Sequence, residues 1–190
     1  MTPLLEKYIA FVKKWEGGLS KIKEDSASSF PCPTPHDGIS GYHTNIGITY
    51  AAWVQFYGKS KDADFYRMPS DMWFQVFKKG YWDKVKGDVY KSQNIAIFVT
   101  GMAWGSGAKQ AIMSLQRAIN NCGVSCAIDG SIGPKTLAAA NSIEPQKLFD
   151  ELIEERERFF RAIAEPGSKN AKFLKGWLNR LADYKKTFRP

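Results

Sequence analysis

Apolar residues recur at helical spacing along most of the chain. At the amino end Leu5, Tyr8, Ile9 and Val12 fall at intervals of three and four, which predicts an amphipathic helix. Thr2 can cap it, and Pro3 suits the first helical position, where its missing N–H costs nothing. Glu16 lies four residues after Val12 and eleven after Leu5, on the same apolar face, and Gly17-Gly18 reads as a left-handed stop. A helix carrying Tyr50, Trp53, Val54 and Tyr57 is expected between Thr49 and Gly58. The next, capped by Ser70, bears Met72, Trp73, Val76 and Phe77 and closes at Tyr81-Trp82-Asp83. From Ser92 a mostly apolar run, Ile95 to Trp104, ends in Gly105-Ser106-Gly107. A helix with Ala111, Ile112, Leu115 and Ile119 follows, with Gln116 and Arg117 between them.

Asp129-Gly130-Ser131-Ile132-Gly133-Pro134 reads as a tight turn feeding a helix that starts at Pro134. Pro145 opens a longer helix whose buried stripe holds Leu148, Leu152, Phe159 and Ile163, with Glu154 to Arg158 as a solvated face. After Pro166-Gly167-Ser168 a last helix presents Phe173, Leu174, Trp177, Leu178 and Leu181. One polar stretch interrupts the pattern, from about Ser20 to His43; it is too long for an ordinary connection and reads as a functional loop or a short irregular hairpin. The fold class expected is all-α.

Length and charge narrow the partners. A chain of 190 residues fits one domain or two small, closely packed lobes. With 27 Lys+Arg against 19 Asp+Glu the net charge is +8, which suits a polyanion, either nucleic acid or the bacterial envelope. No nucleic-acid reading motif accompanies the charge, so no specific nucleic acid is expected. Glu6, Lys7, Lys13 and Lys14 break the first apolar stretch, so neither an integral membrane segment nor a signal peptide is expected. Synthesis in the cytoplasm follows as the expectation. Three cysteines make no disulfide framework: free thiols are expected, with a Cys122–Cys126 bridge only in an oxidising compartment. The spacings of Cys32, Cys122 and Cys126 with His36 and His43 match no familiar zinc finger, so no metal and no cofactor are expected.

Glu16 is the residue that invites chemistry. Desolvation by apolar neighbours and the partly negative end of its helix both favour a protonated carboxyl, which is what a general acid needs. The bland alternative is that it bends out to solvent or accepts hydrogen bonds from loop amides.

The run ending in Glu16-Gly17-Gly18, followed by Thr44-Asn45-Ile46-Gly47-Ile48-Thr49, resembles the lysozyme-like family 108 of glycoside hydrolases, and Tyr81-Trp82-Asp83 is similar to that family's Tyr-Trp-Asp stretch. Leu115-Gln116, Asp129 to Leu137 and Phe173 to Arg180 resemble the peptidoglycan-binding region that accompanies it. Such proteins occur as phage endolysins and as bacterial secretion activators. The resemblance implies a lysozyme-like helical fold, with a catalytic lobe at 1–92 and a helical peptidoglycan-binding lobe at 93–190. It implies an N-acetylmuramidase that cuts the β-1,4 bond between N-acetylmuramic acid and N-acetylglucosamine, acts at the cell wall or periplasm, and uses Glu16 as general acid. A phage origin would imply release through a holin. Tyr42 and His43 are then expected to line the cleft, Thr44 and Asn45 to position water or bond the N-acetyl groups, and Trp104 to stack on sugar. Trp53, Trp73 and Trp82 are expected in the core. Asp37 and Asp25 are the candidates for a second carboxylate.

Two departures favour a second reading, a catalytically weak or inactive wall-binding or regulatory protein on the same fold. The family's Asp-x-Gly-Gly-x-Thr run is replaced by Gly41-Tyr42-His43-Thr44, and Gly101 and Gly105 stand where the family commonly carries an aspartate and an asparagine.

Overall fold

The computed structural model describes residues 2–20 and 43–190. Among these the protein is all-α, with nine α-helices and one two-stranded hairpin. The chain divides into two compact units, Met1–Gly80 and Tyr81–Pro190.

In the first unit α1 (Pro3–Glu16) starts where its capping residues predict, with the Leu5 N–H donating to Thr2 Oγ1 at 3.3 Å. Its buried stripe is Leu5, Tyr8, Phe11 and Val12. Strands β1 (Thr44–Asn45) and β2 (Ile48–Thr49) pair antiparallel, Thr44 with Thr49 and Asn45 with Ile48. Thr49 then caps α2 (Tyr50–Tyr57), accepting from the Ala52 N–H at 3.2 Å, and Gly58 ends the helix at φ 74°. Two short helices follow, α3 (Asp62–Arg67) and α4 (Ser70–Phe77). Ser70 is the first helical residue rather than the cap; that place belongs to Pro69, and the Ser70 hydroxyl instead accepts from Lys13 Nζ at 3.2 Å. The core is aromatic: Trp53, Phe65, Trp73 and Phe77 are fully enclosed, and Trp73 stacks on Phe77 with ring centres 5.5 Å apart.

After Phe77 the backbone widens into a π turn over Lys78–Trp82 and tightens again in single turns at Asp83–Val85 and Gly87–Val89. In the second unit Trp82 is buried, its indole N–H donating to Asp88 Oδ1 at 2.8 Å, and the close approach of the ring to Gly87 leaves no room there for a Cβ. Helix α5 (Gln93–Ser106) is the centre of this unit, buried continuously from Ile95 to Thr100. Helices α6 (Ala108–Asn121) and α8 (Pro145–Ile163) pack on it, α7 (Pro134–Ser142) lies against α6, and α9 (Leu174–Phe188) lies against α8. Phe98, Phe149 and Tyr184 join three of these helices in one aromatic cluster. Cys122 and Cys126 carry free thiols, and burial, with the nearby Glu151 carboxylate, pushes the Cys122 thiol up. No helix among the described residues is long and apolar enough to cross a membrane.

Candidate functional site

Glu16 is the last residue of α1 and is half-buried. Gly17 follows at φ 67°, ψ −156°, a mirror-extended conformation essentially restricted to glycine rather than the left-handed helical stop that the pair Gly17-Gly18 predicts. The consequence is a sharp reversal. The chain runs on from the Glu16 turn beside the hairpin, with Leu19 bridging Asn45 and the Ser20 N–H donating to the Thr44 carbonyl at 2.7 Å. Glu16 is thereby joined, across one turn and a single bridge, to the two-stranded hairpin holding Thr44 and Asn45.

The hairpin is built under strain. Ile46 and Gly47 both have positive φ, 45° and 74°, as the tight primed turn requires, yet Ile46 is β-branched and disfavours that region. The Trp73 indole N–H holds the turn by donating to the Ile46 carbonyl at 3.0 Å. Such strain persists where the surrounding structure over-determines it.

Thr44 is half-buried, and its hydroxyl oxygen is enclosed without a hydrogen-bond partner. Asn45 is buried, and its amide donates to the carbonyls of Phe65 at 2.8 Å and Tyr66 at 3.0 Å, fastening the hairpin to α3. His43 is 1% exposed and its carbonyl accepts from the Tyr50 N–H, so its imidazole lies inside the unit rather than on an open loop. Tyr42, Asp25 and Asp37 lie outside the described residues, as do Cys32 and His36. Trp104 belongs to the second unit, half-buried near the end of α5, with its ring centre 4.7 Å from that of Tyr81. Among the described residues no three His, Cys, Asp or Glu side chains cluster as metal ligands. Asp62 and Asp64 in the first unit already hold structural partners: Asp62 accepts from the Tyr50 hydroxyl at 2.6 Å and Asp64 pairs with Arg67 at 2.6 Å.

Two features carry no local sequence signal. Arg156, on α8 and only 8% exposed, lies over the rings of Phe159 and Phe160 and donates to Ser106 Oγ at 2.8 Å. Its guanidinium fills the space beside Gly105, where a Cβ would come within 2.9 Å of Nη2. A larger residue at Gly105 would have to share that space with the guanidinium. Gln116, 1% exposed, clamps the turn after α6: its amide donates to Asp129 Oδ1 at 2.7 Å and the Ser131 carbonyl at 3.1 Å, and its oxygen accepts from the Asp129 and Gly130 N–H groups.

Comparison with known proteins accords with this geometry. Residues 110–182 match the family described as a predicted peptidoglycan domain. A solved structure of Brucella abortus SagA aligns with TM-score 0.71 at 25% identity, over 96% of this chain and 92% of that one. No curated protein matches the chain. Residues 9–107 match the model of glycosyl hydrolase 108, a match that runs through α1, the hairpin and α5 and so crosses the structural division at Gly80. With more than half of its length in that match, the chain belongs to the glycosyl hydrolase 108 family.

Proposed function

We propose that the protein is an N-acetylmuramidase that hydrolyses the β-1,4 bond between N-acetylmuramic acid and N-acetylglucosamine, with Glu16 as general acid. The observation that carries this is the placement of one half-buried carboxylate at a glycine-only reversal, in a chain belonging to a glycoside hydrolase family. Glu16 gives its proton to the leaving glycosidic oxygen as the bond to the anomeric carbon breaks, and positive charge spreads over that carbon and the ring oxygen. Water then adds to the opposite face, deprotonated by a second carboxylate for which Asp37 and Asp25 are the candidates, or that carboxylate first adds itself. Thr44, whose carbonyl accepts from the Ser20 N–H just after the Glu16 turn, is the residue assigned to position water or an N-acetyl group. The Asn45 amide acts indirectly, by holding the strand in place.

Purified sacculi digested with wild type and Glu16→Gln, followed by mass spectrometry of new reducing ends, test the assignment. Muropeptides ending in reducing N-acetylmuramic acid are expected from wild type, and release by Glu16→Gln should fall about 10²- to 10⁴-fold, the usual contribution of a general acid. Full release by Glu16→Gln would remove Glu16 from the mechanism. Binding of sacculi with no release by wild type would favour a wall-binding protein instead.

A further inference from the structure

The sequence pattern puts Phe173 and Trp177 on the inner stripe of the last helix, yet both reach the surface of the second unit. Phe173 is 48% exposed and Trp177 is half-buried. Among the described aromatic side chains Phe173 alone is exposed. The two rings belong to a stack that crosses from α8 to α9. Phe160 and Trp177 have ring centres 5.2 Å apart and planes inclined by 26°, and Trp177 and Phe173 have centres 5.9 Å apart at 27°. A cation stands at each end. The buried Arg156 guanidinium lies 4.3 Å from the centre of Phe160, and the exposed Lys172 ammonium lies 5.0 Å from that of Phe173.

Two observations separate this stack from ordinary core packing. The indole N–H groups of Trp53, Trp73 and Trp82 each donate to the protein, to the Lys61 carbonyl, the Ile46 carbonyl and Asp88 Oδ1. That of Trp177 donates to no described group and is not enclosed, so it is a donor open to an incoming acceptor. The stack is also held before any ligand arrives. Between α8 and α9 the Asn170 amide donates to the Ile163 carbonyl at 3.1 Å, and the Ala171 and Phe173 N–H groups donate to the Ser168 and Asn170 carbonyls. A surface fixed in this way loses little freedom on binding. Its surroundings are basic. Lys169, Lys172 and Lys175 are exposed and pair with no described carboxylate, and Glu165 is the one acid between Ile163 and Trp177.

An exposed ring, an indole donor and unpaired ammonium groups fit a sugar polymer that carries acidic groups. The C–H side of a pyranose covers an aromatic face without giving up hydrogen bonds, and its hydroxyl and acetamido oxygens accept from the indole N–H. Carboxylates on the polymer then answer the lysines. A lipid surface asks for a broader apolar face than one exposed ring among lysines. These residues also lie inside the segment 110–182 that matches the predicted peptidoglycan domain. We propose that the stack of Phe160, Trp177 and Phe173, with Lys172, is the surface on which this unit holds the glycan strand of peptidoglycan, its rings against the sugars and its ammonium against stem-peptide carboxylates. The choice of polymer rests on the wall-hydrolase reading; the saccharide chemistry does not.

The test measures retention of the full-length chain on purified sacculi, with Glu16→Gln present throughout so that the wall is not cut. Adding Phe173→Ala should raise the Kd about three- to tenfold, the usual worth of one aromatic contact. Phe173→Trp should bind as the parent does. Phe173→Leu keeps apolar volume without a ring face and should bind as weakly as the alanine variant, an order that a purely structural side chain would not give. All three should melt with the parent, because the side chain stands largely in solvent. The uncharged tetramer of N-acetylglucosamine should shift the Trp177 indole N–H signal saturably by NMR, and Lys172→Gln should weaken retention on sacculi without altering that titration. Retention indifferent to Phe173→Ala, parental binding by Phe173→Leu, or an unmoved Trp177 signal would each overturn the proposal. Phe173-dependent capture by phosphatidylglycerol vesicles but not by sacculi would replace it with a lipid surface. Muropeptide release, read separately with Glu16 restored, keeps the two readings apart. Release with retention indifferent to Phe173 sinks the surface alone, and Phe173-dependent retention without release sinks the hydrolase alone.

Discussion

Gly17 places the proposed acid. A side chain at φ 67°, ψ −156° is disfavoured even though open space surrounds the position, so the cost of replacing it is conformational rather than steric. Gly17→Ala should lower stability by about 1–3 kcal/mol, read from the urea midpoint, and should reduce muropeptide release from sacculi by re-aiming the chain between Glu16 and the hairpin. Unchanged stability and activity would show that the reversal does not govern the site. Gly105 is the opposite case. No positive φ requires it; the guanidinium of Arg156 occupies its side-chain space. That arginine lies 51 residues further along the chain.

Among the elements, helix positions were legible because they depend on nearest-neighbour chemistry. Thr2 and Pro3 start α1, Thr49 starts α2 and Pro134 starts α7, each at the place that capping rules predict. Ser70 and Ser92 fit the same rules and cap nothing, because one hydroxyl accepts from Lys13 and the other is left open at a cavity between α5, α7 and α8. The turn at Asp129 was legible as a turn, but its fastening to the buried Gln116 was not, since a glutamine between apolar positions usually faces water. Hydrogen bonds from the Ser131 N–H and then the Gln116 amide hold the Asp129 carboxyl below the usual range. A carboxyl lowered in the folded state stabilises fully above the unfolded value, near pH 4, and that stability is lost as pH falls through the lower, folded value. Asp129→Asn should therefore flatten the acid limb of melting temperature against pH below about 4. An unchanged slope would mean that the turn does not contribute to acid sensitivity.

For the whole molecule, a net charge of +8 acts at longer range than any single contact. Raising ionic strength from about 0.1 M to about 1 M shortens the screening length from about 10 Å to about 3 Å. Sacculus retention by the protein should weaken markedly over that range if the charge steers it to anionic wall polymers. Retention independent of salt would assign the charge to solubility and leave binding to short-range contacts. Lys13 illustrates why counting charges overstates steering: its ammonium is tied to Ser70 and lies 5.7 Å over the Trp73 ring.

The order of the residues by itself determined the all-α class, the apolar stripes and the carboxylate at the end of α1, because helical periodicity, capping and turn chemistry are local properties read over a few neighbours. Tertiary structure alone decided that Gln116 clamps Asp129, that Arg156 occupies the space beside Gly105, that the Asn45 amide fastens a strand, and that Tyr90 to Ser92 meet Ala140 to Pro145 around a cavity. These bring together residues 13 to 55 positions apart. They form only when separate elements are packed together, and no local pattern of hydrophobic and polar residues encodes them.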